Sequence, residues 1–396
     1  MIHKIKFVIF LLLAWNSASA QVDSLDNGIT ISLVTGSPGE DLYAVFGHSA
    51  IRVRDAFTGQ DILYNYGTFD FDTPNFYIKF IRGKLPYMLD VDRTADLAYY
   101  YQRVNRSLTE QILNLNNEQE ARLIEFLNWN HRPENRYYLY DFFYDNCATV
   151  IRDVFEKEFN ISYQPGDVRD VTFRQLLDEY LQEKPWADFG IDLILGLPAD
   201  KKADIRDQMF LPDYLSSNLA KATIDGKPFM QPVELLQPRV EVINNSMIKF
   251  TPMLLFVIVA LLAIIITLGK NERSKNIFDI IILSACGLAG LFFLFMWFGT
   301  DHVATKWNWN VLWLNPLCLL MVIGIIGKKG KWLRILFAIY ATILWLLLLT
   351  WGLFPQQFNT AVIPILIALI ARSMDREGVM LDLIKKTTRD KVQATR

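Results

Sequence analysis

Residues 144–153 read YDNCATVIRD, and they predict a helix that begins at a cysteine. Asp145 and Asn146 directly precede Cys147, and both residue types are favoured at a helix N-cap. Apolar residues then recur at helical spacing through residues 148–159. A thiol in the first turn of a helix meets unpaired backbone N–H groups and the positive end of the helix dipole, which lower its pKa and favour the nucleophilic thiolate. We therefore expect Cys147 to be a nucleophile, with the same N–H groups available to hold an oxyanion.

The chain has three cysteines, an odd number that cannot form a fully paired disulfide framework. Cys286 and Cys318 lie within strongly apolar runs, whereas Cys147 lies in a polar and aromatic stretch. The alternative interpretation of a lone cysteine is a small buried hydrophobe. The position of Cys147 at the start of a helix weakens that alternative.

A nucleophilic thiol needs a base, and His48 and His131 are the histidines outside the N-terminal segment and the apolar C-terminal runs. His48 lies within a strand-like stretch, FGHSAIRVRD (46–55), in which Gly47 leaves room for a close approach. His131 lies in NHRP, a stretch typical of an exposed loop. We expect His48 to be the base and His131 to lie on the surface. The alternative for His48 is a hydrogen-bonded histidine of the core.

A third group should orient the histidine, and a neighbouring strand is the place to look for it. Asn65 is the first candidate, followed by Tyr66 and Tyr64; the alternative for all three is ordinary strand packing. Asn146 is expected to support the site as a helix cap rather than as a catalyst. Because no cysteine and histidine cluster has metal-ligand spacing, we expect no metal and no other cofactor.

The stretch from residue 21 to residue 248 has the mixed composition of a compact α+β domain. Runs rich in β-branched and aromatic residues predict strands, and the spacing of apolar residues predicts a helix ahead of the one at Cys147. The predicted strands are 28–34, 42–54, 61–66 and 136–143, and the predicted helix is 118–128.

Residues 1–20 have the pattern of a secretory signal peptide. Lys4 and Lys6 precede a short apolar core, and Ala18-Ser19-Ala20 is a small-residue cleavage site. The apolar core is too short to span a bilayer. The alternative is an uncleaved anchor, which the cleavage site argues against. We expect the mature chain to begin near residue 21, outside the cytoplasm.

Five apolar runs follow residue 248, and they predict a bundle of five transmembrane helices over residues 249–373. The runs are 251–268, 277–299, 311–327, 333–354 and 361–371. The fifth is short and contains Pro364, but the charges of the loops require it. Lysine and arginine cluster in alternate loops and in the tail 374–396, so the positive-inside rule places that tail in the cytoplasm and the α+β domain in the periplasm.

Composition agrees with this division. The chain is 52% hydrophobic, and its mean hydropathy of +0.18 fits neither an ordinary soluble protein nor a chain that is entirely membrane. A net charge of −2 excludes a nucleic-acid binder that works by bulk positive charge.

Two further stretches invite a functional interpretation. Residues 186–198 are unusually apolar for a soluble loop, and they could enter the lipid headgroups or form a buried strand or helix. Asp301 and His302 follow the second apolar run beside several tryptophans, as expected of residues at a membrane interface.

Four sequence motifs resemble those of a known family. They are FGHSAIRV, DILYNYGTFDF, RPENRYYLYDFFYDNCATVIRD and MFLPDYL, and the resemblance covers most of residues 28–215 and extends to the membrane helices that follow. The His48 and Cys147 motifs resemble the circularly permuted papain-like superfamily that includes NlpC/P60 proteins. More closely, the chain resembles the Lnb family of Bacteroidetes lipoprotein N-acyltransferases.

This resemblance implies a papain-like periplasmic domain and an acyltransferase activity. It implies that a phospholipid donates an acyl chain to Cys147 as a thioester. The chain then passes to the free α-amine of a diacylglyceryl lipoprotein, giving a triacylated lipoprotein. His48 would carry the protons of both steps.

Two other functions remain open at this point. The same cysteine and histidine suit a membrane-anchored papain-like hydrolase, such as a peptidoglycan endopeptidase or amidase, although such an enzyme needs at most one anchor. A sensor with a decayed site is the other, and the presence of both His48 and Cys147 argues against it.

Overall fold

The computed structural model describes residues 27–164, 169–240, 250–328 and 330–378. A mixed α/β half ends by residue 240, and a helical half follows from residue 250. The predicted signal peptide lies outside the described residues, as do most of the predicted cytoplasmic tail and the boundary predicted near residue 248.

A seven-stranded antiparallel sheet forms the centre of the α/β half. Its strands are β1 (Ile29–Gly36), β2 (His48–Asp55), β3 (Asp61–Thr68), β4 (Pro86–Arg93), β5 (Leu108–Ile112) and β6 (Tyr137–Leu139), with β10 (Glu234–Gln237) at one edge. They lie in the order β10-β5-β1-β2-β3-β4-β6. A small separate sheet contains β7 (Ile161–Ser162), β8 (Thr223–Ile224) and β9 (Lys227–Pro228).

Two of the predicted strands are shorter than expected. The stretch predicted at 42–54 begins with a turn of 3₁₀ helix, and Gly47 adopts a positive φ of 83° that redirects the chain. His48 is therefore the first residue of β2 and not a mid-strand residue. Of the stretch predicted at 136–143, only β6 (Tyr137–Leu139) is a strand. The chain turns after it, because the Asp141 carboxylate accepts hydrogen bonds from the backbone N–H groups of Phe143 and Tyr144.

Helices cover both faces of the sheet. Those of the α/β half are α1 (Phe76–Ile81), α2 (Thr94–Arg103), α3 (Asn117–Asn130), α4 (Cys147–Glu158), α5 (Phe173–Leu181), α6 (Pro185–Ile194), α7 (Ile205–Gln208) and α8 (Pro212–Lys221). The helix predicted at 118–128 is α3, and the helix predicted to begin at Cys147 is α4. Helices α3, α4 and α8 bury the main core against one face, where Ile51 and Leu89 of the sheet meet Phe155 of α4. Helix α2 packs on the opposite face.

The apolar stretch predicted at 186–198 forms α6 and the start of a 3₁₀ turn, which confirms the second of its two interpretations. Phe189 of α6 packs edge-on against Phe256 of the helical half, with ring centroids 5.3 Å apart. Asn308, on the membrane side, donates from Nδ2 to the carbonyl oxygens of Leu193 and Ile194. The stretch therefore joins the two halves of the molecule.

The helical half contains α9 (Pro252–Leu268), α10 (Glu272–Phe298), α11 (Leu317–Ile326), α12 (Lys331–Leu349) and α13 (Val362–Glu377). Among the described residues, three segments are long and apolar enough to cross a membrane: Glu272–Phe298, Val303–Ile326 and Lys331–Leu349. Of the other two predicted spans, α9 is apolar but has 17 residues, and α13 has 16. Pro364 lies in the first turn of α13, where it removes no helical hydrogen bond.

Buried ion pairs join α13 to α10. Asp279 of α10 is fully buried, and it accepts hydrogen bonds from Arg372 at 2.7 and 2.9 Å and from Arg376 at 2.6 Å. These pairs hold the short α13 against the longer α10.

Candidate active site

Cys147 is the first residue of α4, and local hydrogen bonds fix this helix end. The Asn146 side chain accepts bonds from the backbone N–H groups of Ala148 at 2.8 Å and Thr149 at 3.0 Å. The Thr149 hydroxyl accepts in return from the Asn146 N–H at 2.8 Å, which completes a capping box. The Asn146 amide nitrogen donates to the carbonyl oxygens of Phe142 and Phe210. Asn146 is thus fully engaged in holding the helix start, which sets the position of the thiol.

His48 lies against Cys147, and each group changes the pKa of the other. Burial alone would raise the pKa of the Cys147 thiol, but the charge and hydrogen bond of His48, with the backbone N–H groups of Ser49 and Ala148, bring that pKa below its ordinary value. Burial alone would lower the pKa of His48, but the Cys147 thiolate and the hydrogen bonds to Cys147 and Asn65 raise it. The opposite shifts favour a thiolate–imidazolium pair.

Asn65 orients the histidine ring. The Asn65 Oδ1 lies 2.6 Å from Nε2 of His48, which leaves Nδ1 as the nitrogen for the thiol. The Asn65 amide nitrogen donates in turn to Asp92 Oδ2 on β4 at 2.9 Å. Because the amide nitrogen donates to Asp92, the amide oxygen of Asn65 points toward His48. Sequence reasoning missed Asp92, because nothing in the strand pattern distinguishes it from other polar strand residues.

Tyr64 and Tyr66 lie on the other face of β3 from Asn65, because successive side chains of a strand alternate. Their hydroxyls donate to Asn128 and Asn130 of α3, each at 2.7 Å. The structure therefore brings Asn65 to His48 and directs both tyrosines into the helix packing. His131 caps the C-terminal end of α3, away from the thiol.

Tyr138 is a further residue beside the thiol that the sequence did not single out. Its hydroxyl is buried and has no hydrogen-bond partner among the described residues. Gly67 leaves the space between them open: a Cβ on Gly67 would lie 3.7 Å from Cys147 Cβ and 3.9 Å from the Tyr138 hydroxyl. Burial raises the pKa of Tyr138, so the hydroxyl keeps its proton and can donate. The run YYLY in the sequence did not distinguish Tyr138 from Tyr140, which lines the cavity that contains Cys147 and His48.

Cys147 and His48 open into a cavity of about 400 Å³. Its walls are mostly apolar and aromatic, with Phe46, Phe69, Phe80, Tyr87, Tyr140, Phe142 and Phe210 among the lining residues. A larger surface depression of about 700 Å³ lies along α3, and neither a cysteine nor a histidine lines it. The cavity at Cys147 therefore combines a thiol of lowered pKa and an imidazole with a mostly apolar, aromatic lining.

Two family models match the chain. The Lnb N-terminal periplasmic domain matches residues 14–179, and the Lnb transmembrane domain, whose model name refers to five transmembrane helices, matches residues 243–380. The chain belongs to the Lnb family. No curated protein and no solved structure matched it.

The match to the Lnb periplasmic domain contains Cys147, His48, Asn65, Asp92 and Tyr138. The MFLPDYL segment (209–215) lies beyond the range that matches the Lnb periplasmic domain, but it also borders the cavity at Cys147. Leu211 and Pro212 line the cavity, and Phe210 accepts the bond from Asn146.

Three carboxylates of this Lnb chain lie close together, away from the thiol. Asp178, Asp188 and Asp192 each place an oxygen within 4.8 Å of the others, and burial raises the pKa of Asp178 to about 7. Asn359 donates to Asp188 and Asp192 at 2.9 Å, and Arg174 pairs with Asp192 at 2.8 Å. These donors make the cluster part of the contact between the periplasmic and membrane domains.

Proposed function

We propose that this chain is a lipoprotein N-acyltransferase. It takes an acyl chain from a membrane phospholipid onto Cys147 and passes it to the N-terminal amine of a diacylglyceryl lipoprotein. The observation that carries the proposal is a thiol and imidazole with opposed pKa shifts that open into an apolar, aromatic cavity. The Lnb domains support a membrane protein that processes lipoproteins. We also propose a papain-like fold for the periplasmic domain, because a histidine at a strand start precedes a cysteine that opens a helix.

In the first step the Cys147 thiolate attacks the ester carbonyl of the phospholipid. The negative charge that forms on the carbonyl oxygen is held by the N–H of Cys147, which has no acceptor within the helix, and by the Tyr138 hydroxyl. The His48 imidazolium gives its proton to the departing alkoxide. The products are a thioester on Cys147 and a lysophospholipid.

In the second step the lipoprotein α-amine attacks the thioester. Neutral His48 accepts a proton from the amine, the C–S bond breaks, and Cys147 leaves as a thiolate beside the imidazolium. The result is an amide on the lipoprotein and the starting state of the enzyme. Asn65 and Asp92 keep the imidazole oriented through both proton transfers.

The membrane domain suits this chemistry. Exposing a long acyl chain to water costs about 0.8 kcal/mol per CH₂, so the reaction has to take place at the bilayer. We propose that the chain lies in the inner membrane with its C-terminus in the cytoplasm, because lysine and arginine cluster in alternate loops. The partners are then a phospholipid donor and a diacylated lipoprotein acceptor.

Intact-mass measurement of the purified full chain, incubated with phospholipid, tests the proposal. The expected result is one acyl adduct on the wild-type protein, absent from Cys147→Ala and strongly reduced in His48→Ala. Adding a diacylated lipopeptide should discharge the adduct and give a triacylated product. A protein that stays unmodified, or that cleaves peptidoglycan peptides instead, would contradict the acyltransferase and favour the hydrolase.

A further inference from the structure

We propose that an exposed aromatic rim at the mouth of the cavity enters the outer leaflet of the membrane and delivers the acyl ester of a phospholipid to Cys147. This inference rests on the proposed acyl transfer and identifies where its lipid substrate enters. The rim consists of Phe69, Phe71, Tyr77, Ile78, Phe80 and Ile81.

The rim exposes more apolar surface than a soluble domain ordinarily tolerates in one place. Tyr77, Phe71 and Ile78 are 74, 69 and 60% exposed. All six rim residues lie within the 13 residues 69–81, on the loop before α1 and on α1 itself. Apolar side chains that project together from a short helix are typical of a segment lying in a membrane interface.

The charged residues near the rim also suit a position at the membrane interface, beside the lipid headgroups. Lys79 of α1 and Arg82 just after it can reach headgroup phosphates, and Lys84 pairs with Asp301 at 3.5 Å. Asp70 and Asp72 lie on the preceding loop, so the net charge of the segment is small. Apolar contact is therefore the main attraction to lipid.

The rim is fixed to the end of a membrane helix. The backbone N–H of Asp301 donates to the carbonyl oxygen of Arg82 at 2.9 Å. Nε2 of His302 lies 3.1 Å from the carbonyl oxygens of both Phe80 and Ile81. Asp301 and His302 lie three and four residues beyond Phe298, the last residue of α10, which is long and apolar enough to cross the membrane. These bonds hold the rim beside the point where α10 leaves the bilayer.

The rim also continues into the cavity. Phe69 and Phe80 line the same cavity as Cys147 and His48. The Phe69 ring contacts Tyr87 with centroids 5.3 Å apart, and Tyr87 stacks on Tyr140 at 4.4 Å. An aromatic surface therefore runs without a break from the membrane end of α10 to the nucleophile.

The first test measures membrane depth without using catalysis. A nitroxide label is attached to Ile78→Cys in the full-length Cys147→Ala protein, reconstituted in vesicles of phosphatidylethanolamine and phosphatidylglycerol. The control label is at Phe57→Cys, because Phe57 is 76% exposed but lies beyond the far end of β2 from His48. We expect the Ile78 label to collide mainly with oxygen, which dissolves in lipid, and the control label mainly with a water-soluble nickel chelate. Equal access of the nickel chelate to both labels would overturn the proposal.

The second test compares two acyl donors. The rate of Cys147 acylation by vesicle phospholipid is divided by the rate with a soluble short-chain nitrophenyl ester, which also reports that the site is folded. Removing two interfacial side chains in Tyr77→Ser/Ile78→Ser should lower this ratio by about five-fold or more. The Phe57→Ser control should keep it. An unchanged ratio in the double variant counts against lipid entry at the rim.

The two tests separate this inference from the proposed function. A wild-type protein that forms no adduct with phospholipid would contradict the acyl transfer, while the label still decides whether the rim contacts lipid. If the rim instead bound only the lipoprotein, both labels would remain accessible to the nickel chelate in vesicles without lipoprotein, and the proposal would be wrong.

Discussion

At the scale of single residues, the polarisation of Cys147 by His48 gives the first prediction. His48→Ala removes the charge that lowers the pKa of the thiol, so the pH–rate curve for alkylation of Cys147 by iodoacetamide should move to higher pH. In the wild type, alkylation should continue below the pKa of about 8.5 of an ordinary thiol. Cys147→Ala supplies the background, since Cys286 and Cys318 are buried. A curve with the same midpoint in both proteins would argue against the pair.

We propose Asn65 as a positioning residue, and its effect should be visible in a pH profile. Its hydrogen bond contributes to the raised pKa of His48, so Asn65→Ala should shift the alkaline limb of thioester formation to lower pH. We also expect a fall of roughly 10- to 100-fold in kcat/KM, a range typical of losing a group that orients a catalytic one. Tyr64→Phe is the matched control, because that hydroxyl bonds to α3. An alkaline limb that does not move in Asn65→Ala would leave Asn65 with a packing role alone.

Tyr138 should affect activity and stability in opposite directions. Tyr138→Phe removes the proposed oxyanion donor, so the rate of thioester formation should fall by about 10²-fold or more. The same change removes a buried hydroxyl without a hydrogen-bond partner in the described structure, so the melting temperature should stay level or rise. Alkylation by iodoacetamide, which forms no oxyanion, serves as the control reaction. Equal loss in both reactions would point to disturbed packing.

At the scale of elements, Arg174 holds α5 and α6 together. It is fully buried, pairs with Asp192 at 2.8 Å and Asp200 at 2.9 Å, and donates to the carbonyl oxygen of Leu195. Arg174→Ala leaves two buried carboxylates without this partner, so the free energy of unfolding should fall by about 3–5 kcal/mol.

The matched control for Arg174 is Arg169→Ala. Arg169 pairs with Glu179, but its side chain is 50% exposed, so its loss should cost less than about 1 kcal/mol. Chemical denaturation of both variants in the same detergent measures the difference. Similar small losses in the two variants would mean that Arg174 is readily replaced by water or by other donors.

At the scale of the whole molecule, Asn308 joins the membrane half to α6. Its side chain donates to the carbonyl oxygens of Leu193 at 2.9 Å and Ile194 at 3.1 Å, and it is 1% exposed. Asn308→Ala removes this donor from the Ile194 carbonyl and leaves Leu193 with only the 3.2 Å bond from the Asn310 side chain, at a cost of about 1–3 kcal/mol. We expect faster hydrogen–deuterium exchange over residues 185–200 of the full chain. Asn105→Ala, which breaks bonds to the backbone of Val240 elsewhere, should leave that exchange unchanged.

The sequence predicted those parts of the molecule that depend on neighbours along the chain. The start of α4 at Cys147 follows from the capping residues before it, and the division into an α/β half and a helical half follows from the apolar runs. The same local reasoning extended β2 too far, because the positive φ of Gly47 is a backbone property that composition does not reveal. The five spans predicted from charge agree with the five transmembrane helices in the name of the matching family model, although only three segments of the described structure are long and apolar enough to cross a membrane by length and composition.

By itself, then, the sequence determined that a helix begins at Cys147 and which part of the chain is apolar enough to lie in a membrane. Both features depend on capping and hydropathy, which act over a few neighbouring residues. Only the tertiary structure decided which groups meet that thiol. Strand alternation separates Asn65 from Tyr64 and Tyr66, but the pairing of β3 with β4 puts Asp92 behind Asn65. The packing around Gly67 puts the Tyr138 hydroxyl beside Cys147. These contacts join residues far apart in the chain, and their geometry depends on register and packing, which no local pattern encodes.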